Sequence, residues 1–184
     1  MTRRRDTTAA VVLGLALAAG ADLALAQDNH ARSPYAGMQA REVKALDAKT
    51  VEDLRAGRGM GLALAAELNG YPGPMHVLEL ADRLRLSHDQ RAKVQQLFER
   101  MKAEAVPLGH KLLDEERSLD RHFAERTITR DLLAALTRSI GETTGALRQA
   151  HLSYHLATIE ALTPEQVRQY AVERGYSSKH RHRH

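Results

Sequence analysis

The sequence contains no cysteine and no tryptophan, and only two of its 184 residues are phenylalanine. Without cysteine there is no disulfide staple, no thiol nucleophile and no thiolate zinc site. With so few aromatic side chains there is no platform on which nucleic-acid bases could stack. Charge of one sign is lacking too. The chain carries 27 Lys and Arg against 23 Asp and Glu, a net of +4, which describes a solvated surface of mixed sign rather than a nucleic-acid binder. No Gly-x-Ser-x-Gly elbow and no His-Glu-x-x-His run occurs, and acid pairs such as Glu115-Glu116 fall on a charged helix surface, so the sequence gives no sign of an enzyme. The glycine-rich stretch Gly57-Arg58-Gly59-Met60-Gly61 follows no strand pattern and precedes no Lys-Ser/Thr, which removes the phosphate-loop reading and leaves a hinge or close helix contact.

What is present begins with an export pattern. Arg3, Arg4 and Arg5 precede a small and apolar stretch from Ala9 to Ala19, and Ala24-Leu25-Ala26 closes it with small-x-small spacing. The run is too short, and too interrupted by Asp22, to span a membrane. Residues 1–26 are therefore expected to be a signal peptide cleaved after Ala26, which places the mature protein outside the cytoplasm. Residues 27–46 lack periodicity and are expected to be a mobile leader.

From there the pattern is helical throughout. A helix is predicted to start near Asp47 or Thr50, and Asn69-Gly70-Tyr71-Pro72-Gly73-Pro74 is a stop and turn. A short helix follows from Pro74 to about Arg85. Two long helices come next. One carries Val94, Phe98, Met101, Ala105, Leu108, Leu112, Leu119 and Phe123 on one stripe. The other carries Leu133, Leu136, Ile140, Thr143, Leu147, Ala150, Tyr154, Ala157 and Ala161. The 3-4 spacing and short connection predict an all-α fold built on a long antiparallel helical hairpin with short flanking helices. Centring the turn near Thr127 places Pro107 and Gly109 opposite Leu147 and Gly145. Gly141 and Gly145 are expected to thin the second helix where Pro107 bends the first. A last helix spans about 164–173.

Two segments repeat. Leu86-Ser87-His88-Asp89-Gln90 and Leu162-Thr163-Pro164-Glu165-Gln166 both read Leu-[Ser/Thr]-x-x-Gln, each at a helix start. Each is a capping box: the hydroxyl of Ser87 or Thr163 accepts from the N–H three residues on, and the side chain of Gln90 or Gln166 reaches back to the cap's N–H. With these two motifs and Pro72-Gly73-Pro74, residues 35–176 resemble the Spy/CpxP family of periplasmic proteins, named for its LTxxQ repeat. Ser87 in place of Thr is a minor departure. The resemblance implies a cradle-shaped, intertwined homodimer spanning residues 47–176. It also implies an ATP-independent chaperone or envelope-stress adaptor that holds unfolded or misfolded envelope proteins, with a membrane sensor kinase as a further partner. Motif residues of this kind build the fold and do not choose among such activities.

The alternative is a heavy-metal-binding periplasmic sensor or scavenger. His151 and His155, at i and i+4, share a helix face, and the hairpin register sets Glu99 and Glu104 near them. His180, His182 and His184 alternate with cations in the tail at 177–184, and His76 with Glu79 is a weaker pair. No cofactor is required by the chaperone reading; Zn, Ni or Cu are the candidate ions for the metal one. Met60, Leu62, Leu64 and Met101 are the candidate client-facing residues.

Overall fold

A computed structural model describes residues 33–177, so the expected signal peptide and all but the first residue of the His/basic tail lie outside the described residues. Residues 33–36 form a turn closed by the Ala36 N–H on the Ser33 carbonyl at 2.8 Å. The packed unit begins at Gly37. After a 3-10 turn at Met38–Ala40 come six helices: α1 (Ala48–Arg55), α2 (Leu64–Glu67), α3 (Pro74–Glu79), α4 (His88–Ala124), α5 (Arg130–Ile159) and α6 (Pro164–Glu173). No strand occurs among the described residues.

Helix starts fall where side chains can satisfy the free N–H groups of the first turn. Asp47 accepts from Thr50 N–H at 2.7 Å, and Thr129 accepts from Leu132 N–H at 3.2 Å. The two repeated motifs form the expected reciprocal boxes. Gln90 N–H donates to Ser87 Oγ at 3.1 Å while Ser87 N–H donates to Gln90 Oε1 at 3.0 Å. In the second motif the corresponding distances are 3.2 and 2.9 Å. The third helix is shorter than its pattern predicts. It ends at Glu79, and the chain turns through Arg85, whose φ of 51° is left-handed, before Ser87 caps α4.

The long pair α4 and α5 packs antiparallel as predicted. Near the tip the register is the expected one: Ser139 Oγ donates to Glu115 Oε1 at 2.6 Å, the two residues being equidistant from Thr127. Thr143 Oγ1 donates to the same oxygen at 3.1 Å. Toward the open end Glu104 accepts from the Tyr154 hydroxyl, four residues beyond Ala150, the same diagonal reach that Thr143 makes to Glu115.

Two apolar clusters hold the flanking helices to the pair. In one, Val43, Val51 and Leu54 pack against Ala105, Leu112, Leu113 and Leu147. Leu54, Leu113 and Leu147 are at most 2% exposed, each burial being worth roughly 1.5–3 kcal/mol. Val43 lies in the stretch expected to be a mobile leader, so packing starts a few residues before Asp47. The other cluster joins Val77, Leu84, Val94 and Tyr170, with Leu86 and Leu162 of the repeated motifs packed against it.

One expectation about glycine is corrected. Gly141 and Gly145 are exposed, and a Cβ on either would meet nothing. The close approach is at Gly109, and the element that comes in is α1, not α5: a Cβ there would sit 2.2 Å from the Leu54 carbonyl oxygen. Gly109→Ala is therefore expected to cost roughly 1–3 kcal/mol by forcing α1 off α4, whereas Gly145→Ala should be neutral or mildly stabilising through helix propensity. Urea unfolding of the two variants checks this; equal midpoints would remove the crossing.

Candidate functional site

A pocket of about 550 Å³ opens where the glycine loop after α1, α2, the Pro72-Gly73-Pro74 turn and the middle of the hairpin meet. A larger but shallower groove of about 740 Å³ runs over Val106, Pro107 and Leu136. Its one half-buried acid, Glu115, gives Oε1 to Ser139 and Thr143 and leaves Oε2 unpartnered, whereas the smaller pocket gathers two buried imidazoles and a buried carboxylate.

Its wall on α5 is made by His151 and His155, which are 2% and 8% exposed. Helical spacing sets them one turn apart, and the stripe that buries Leu147, Ala150 and Tyr154 carries them inward. His155 Nδ1 lies 2.7 Å from the Tyr71 carbonyl. A carbonyl only accepts, so Nδ1 carries a proton, and the tautomer this selects has its lone pair on Nε2. Gly73 makes room for this ring, since a Cβ there would stand 2.8 Å from it. His151 Nε2 is buried and has no hydrogen-bond partner. Burial, and then the neighbouring His155, hold the His151 imidazole below its ordinary value of 6.5.

Glu67 faces the histidines from α2. Its Oε1 accepts from the hydroxyls of Tyr170 and Tyr176, the latter at 3.0 Å, while its Oε2 has no partner and lies 3.8 Å from His155 Nδ1. Arg174 Nε sits 3.5 Å from Glu67 Oε1 without a hydrogen bond. The turn after α6 arranges this corner. Gly175, at φ 74°, closes the helix so that Tyr176 N–H reaches the Ala171 carbonyl at 2.8 Å and its ring comes back over the pocket. Burial and the Glu67 carboxylate push the Tyr170 phenol well above its ordinary value. The mouth of the pocket is apolar, edged by Lys102 and by Arg58, the latter paired with Asp53 and Glu52. Met60, Leu64 and Met75 are 37%, 53% and 38% exposed. Lys102 lies 5.9 Å from the Phe98 ring centroid, and Arg58 reaches Asp53 at 2.6 Å.

The structure brings His151 and His155 together but not with the expected acids. Glu99 is exposed and accepts from Gln95 at 2.9 Å, and Glu104 is taken by the Tyr154 hydroxyl at 2.5 Å. Desolvation and that carboxylate raise the Tyr154 phenol to about 12. Among the described residues no three His, Cys, Asp or Glu side chains converge as a metal site. His180, His182 and His184 lie outside the described residues. His76 does pair with Glu79, at 2.9 Å. Of the four candidate client-facing residues, Met60 and Leu64 are exposed, Leu62 is half-buried against the core, and Met101 is buried and faces the pocket. Sequence reasoning did not single out Glu67; the available signal was that it is the only charged side chain between Gly59 and Met75.

No protein-family model, curated protein or solved structure matches the chain.

The depressed His151 gives a pH dependence of known sign. Stability is fully present above 6.5 and falls as pH drops toward the lowered folded value, because the unfolded chain takes up a proton that native His151 refuses. Urea unfolding at pH 7.5 and 5.5 should show a smaller loss for His151→Gln than for the parent chain. Parallel losses would mean that His151 does not titrate as described.

Proposed function

We propose that this chain is an exported, Spy/CpxP-like ATP-independent chaperone or envelope-stress adaptor, working in the periplasm on unfolded segments. The observation that carries the reading is the mouth of the pocket. Met60, Leu64 and Met75 stand exposed together beside Phe98, Lys102 and Arg58, on a scaffold whose apolar residues are otherwise largely buried there. Unbranched thioether side chains adapt to many partners, and neighbouring cations favour the acidic or polar flanks of an unfolded segment. Weak, re-packable contacts of this kind allow release without nucleotide. At the hairpin tip, Phe123 and Leu133 are 54% and 37% exposed, apolar surface that supports pairing of two copies. No helix among the described residues is long and apolar enough to cross a membrane.

A second reading, a metal-binding sensor or scavenger, is favoured by one observation. Two neighbouring imidazoles are buried in the pocket, one fixed through Nδ1 by a backbone carbonyl and the other with an unpartnered Nε2.

The chaperone reading is tested by light scattering from an aggregating client. The chain at several-fold excess should suppress scattering, and the combined variant Met60→Ser, Leu64→Ser and Met75→Ser should lose most of that effect. These positions are exposed, so the triple change should leave stability within about 1.5 kcal/mol. Absence of suppression by the parent chain would contradict the reading.

A further inference from the structure

The pocket contains donors of a kind that carboxylate-and-histidine sites do not use. Met60, Met75 and Met101 are three of the chain's five methionines, and all three line the pocket that holds His151 and His155. They arrive from three separate elements: the glycine loop, α3 and α4. Their convergence owes nothing to one helix stripe.

Met60 is held there against its own backbone preference. Its φ is 45°, left-handed, between Gly59 and Gly61, where a third glycine would be free of strain. A bulky residue in that conformation is strained, a cost retained where the side chain has a use. His151 supplies the second observation. It is 2% exposed, lines the pocket, and leaves Nε2 without any partner, which is costly for a buried polar atom. The His155 ring is fixed by its bond to the Tyr71 carbonyl, the outer-shell arrangement that orients an imidazole for ligation through Nε2.

The geometry points to a binding site for a soft monovalent ion, Cu(I), held by imidazole nitrogen of His151 and His155 and by thioether sulfur from Met60, Met75 or Met101. Thioethers and neutral imidazoles suit Cu(I), which accepts few ligands and needs no carboxylate. A zinc site would call for a third nitrogen, oxygen or thiolate ligand; the nearest carboxylate, Glu67, lies 3.8 Å from His155 on the Nδ1 edge already bonded to Tyr71, and no triad of such ligands converges among the described residues. The glycines on either side of Met60 give the loop freedom to close on the ion. This inference rests on the metal-binding reading and names the ion class for that same pair of histidines.

The test uses the full chain carrying His180→Ala, His182→Ala and His184→Ala, so that tail imidazoles do not compete. Cu(I) is supplied anaerobically and titrated against a chromophoric Cu(I) chelator. X-ray absorption at the copper edge reads the ligand atoms, and circular dichroism confirms helicity. Expected are one ion per chain, a mixed nitrogen and sulfur shell, and a loss of affinity of at least about tenfold in the combined Met60→Leu, Met75→Leu and Met101→Leu variant. Met60→Leu and Met75→Leu singly, both at part-exposed positions, give the same direction without touching the buried Met101. Binding abolished by His151→Ala with His155→Ala but unchanged by every Met→Leu variant, with no sulfur shell, would overturn the Cu(I) assignment and leave the metal reading standing. No Cu(I), Zn or Ni binding to the parent chain would overturn both.

Discussion

The arrangement depends on two glutamine side chains that close on each other. Gln90 Nε2 donates to Gln166 Oε1 at 2.8 Å, and Gln166 Nε2 donates to Gln90 Oε1 at 2.9 Å. Each amide also serves its own helix start, accepting from Ser87 or Thr163 N–H, and each gives its remaining N–H to a backbone carbonyl, Ala161 for Gln90 and Leu84 for Gln166. Both donors and both acceptor sites of each amide are thus filled. One such bond is worth only about 0.5–1.5 kcal/mol net, but a partly buried group left unpaired costs more than that, so the set behaves as a unit. Glutamate could cap either helix alone, but it has no N–H to give and two carboxylates would repel. The requirement for Gln in both repeats follows from the pairing rather than from capping.

The pair fixes what stands above it. It ties the start of α4 and the start of α6 to the end of α5 and to the turn before Ser87. With α6 seated, Tyr170 is buried beside Val77, Leu84 and Val94, and its hydroxyl meets Glu67. Glu67 and Tyr71 then hold the α2 segment across His155. The pocket is therefore bounded on one side by contacts that descend from the glutamines and on the other by the crossing of α1 over Gly109. Its histidines, methionines and apolar mouth are presented by a scaffold with no disulfide among the described residues.

Much of this was legible in the sequence because it is local. The helix start near Asp47, the caps at Ser87 and Thr163, the two apolar stripes, the tip register that sets Glu115 level with Ser139, and the shared face of His151 and His155 are set by residues within a few turns of one another or by one short connection. The rest depends on contacts between distant segments, which leave little local trace. Gly109 was visible but ascribed to the wrong neighbour, since nothing in the pattern says that α1 folds back onto α4. Glu104 was expected near the histidines, and the Tyr154 hydroxyl, reaching diagonally across the pair, takes it instead. Gln90 and Gln166 were recognised as equivalent, yet their equivalence was read as two separate caps; the mutual bond becomes evident only when both helix starts are seen side by side.

The most direct measurement is a double-mutant cycle on Gln90→Ala and Gln166→Ala, followed by urea unfolding. If the amides form one interlocked unit, either substitution alone should cost roughly 1–3 kcal/mol, and the double variant should cost less than the sum by more than about 0.5 kcal/mol. Losses that add to within that margin would mean two independent caps, and the pair could not be the constraint on which the α6 corner and the pocket depend.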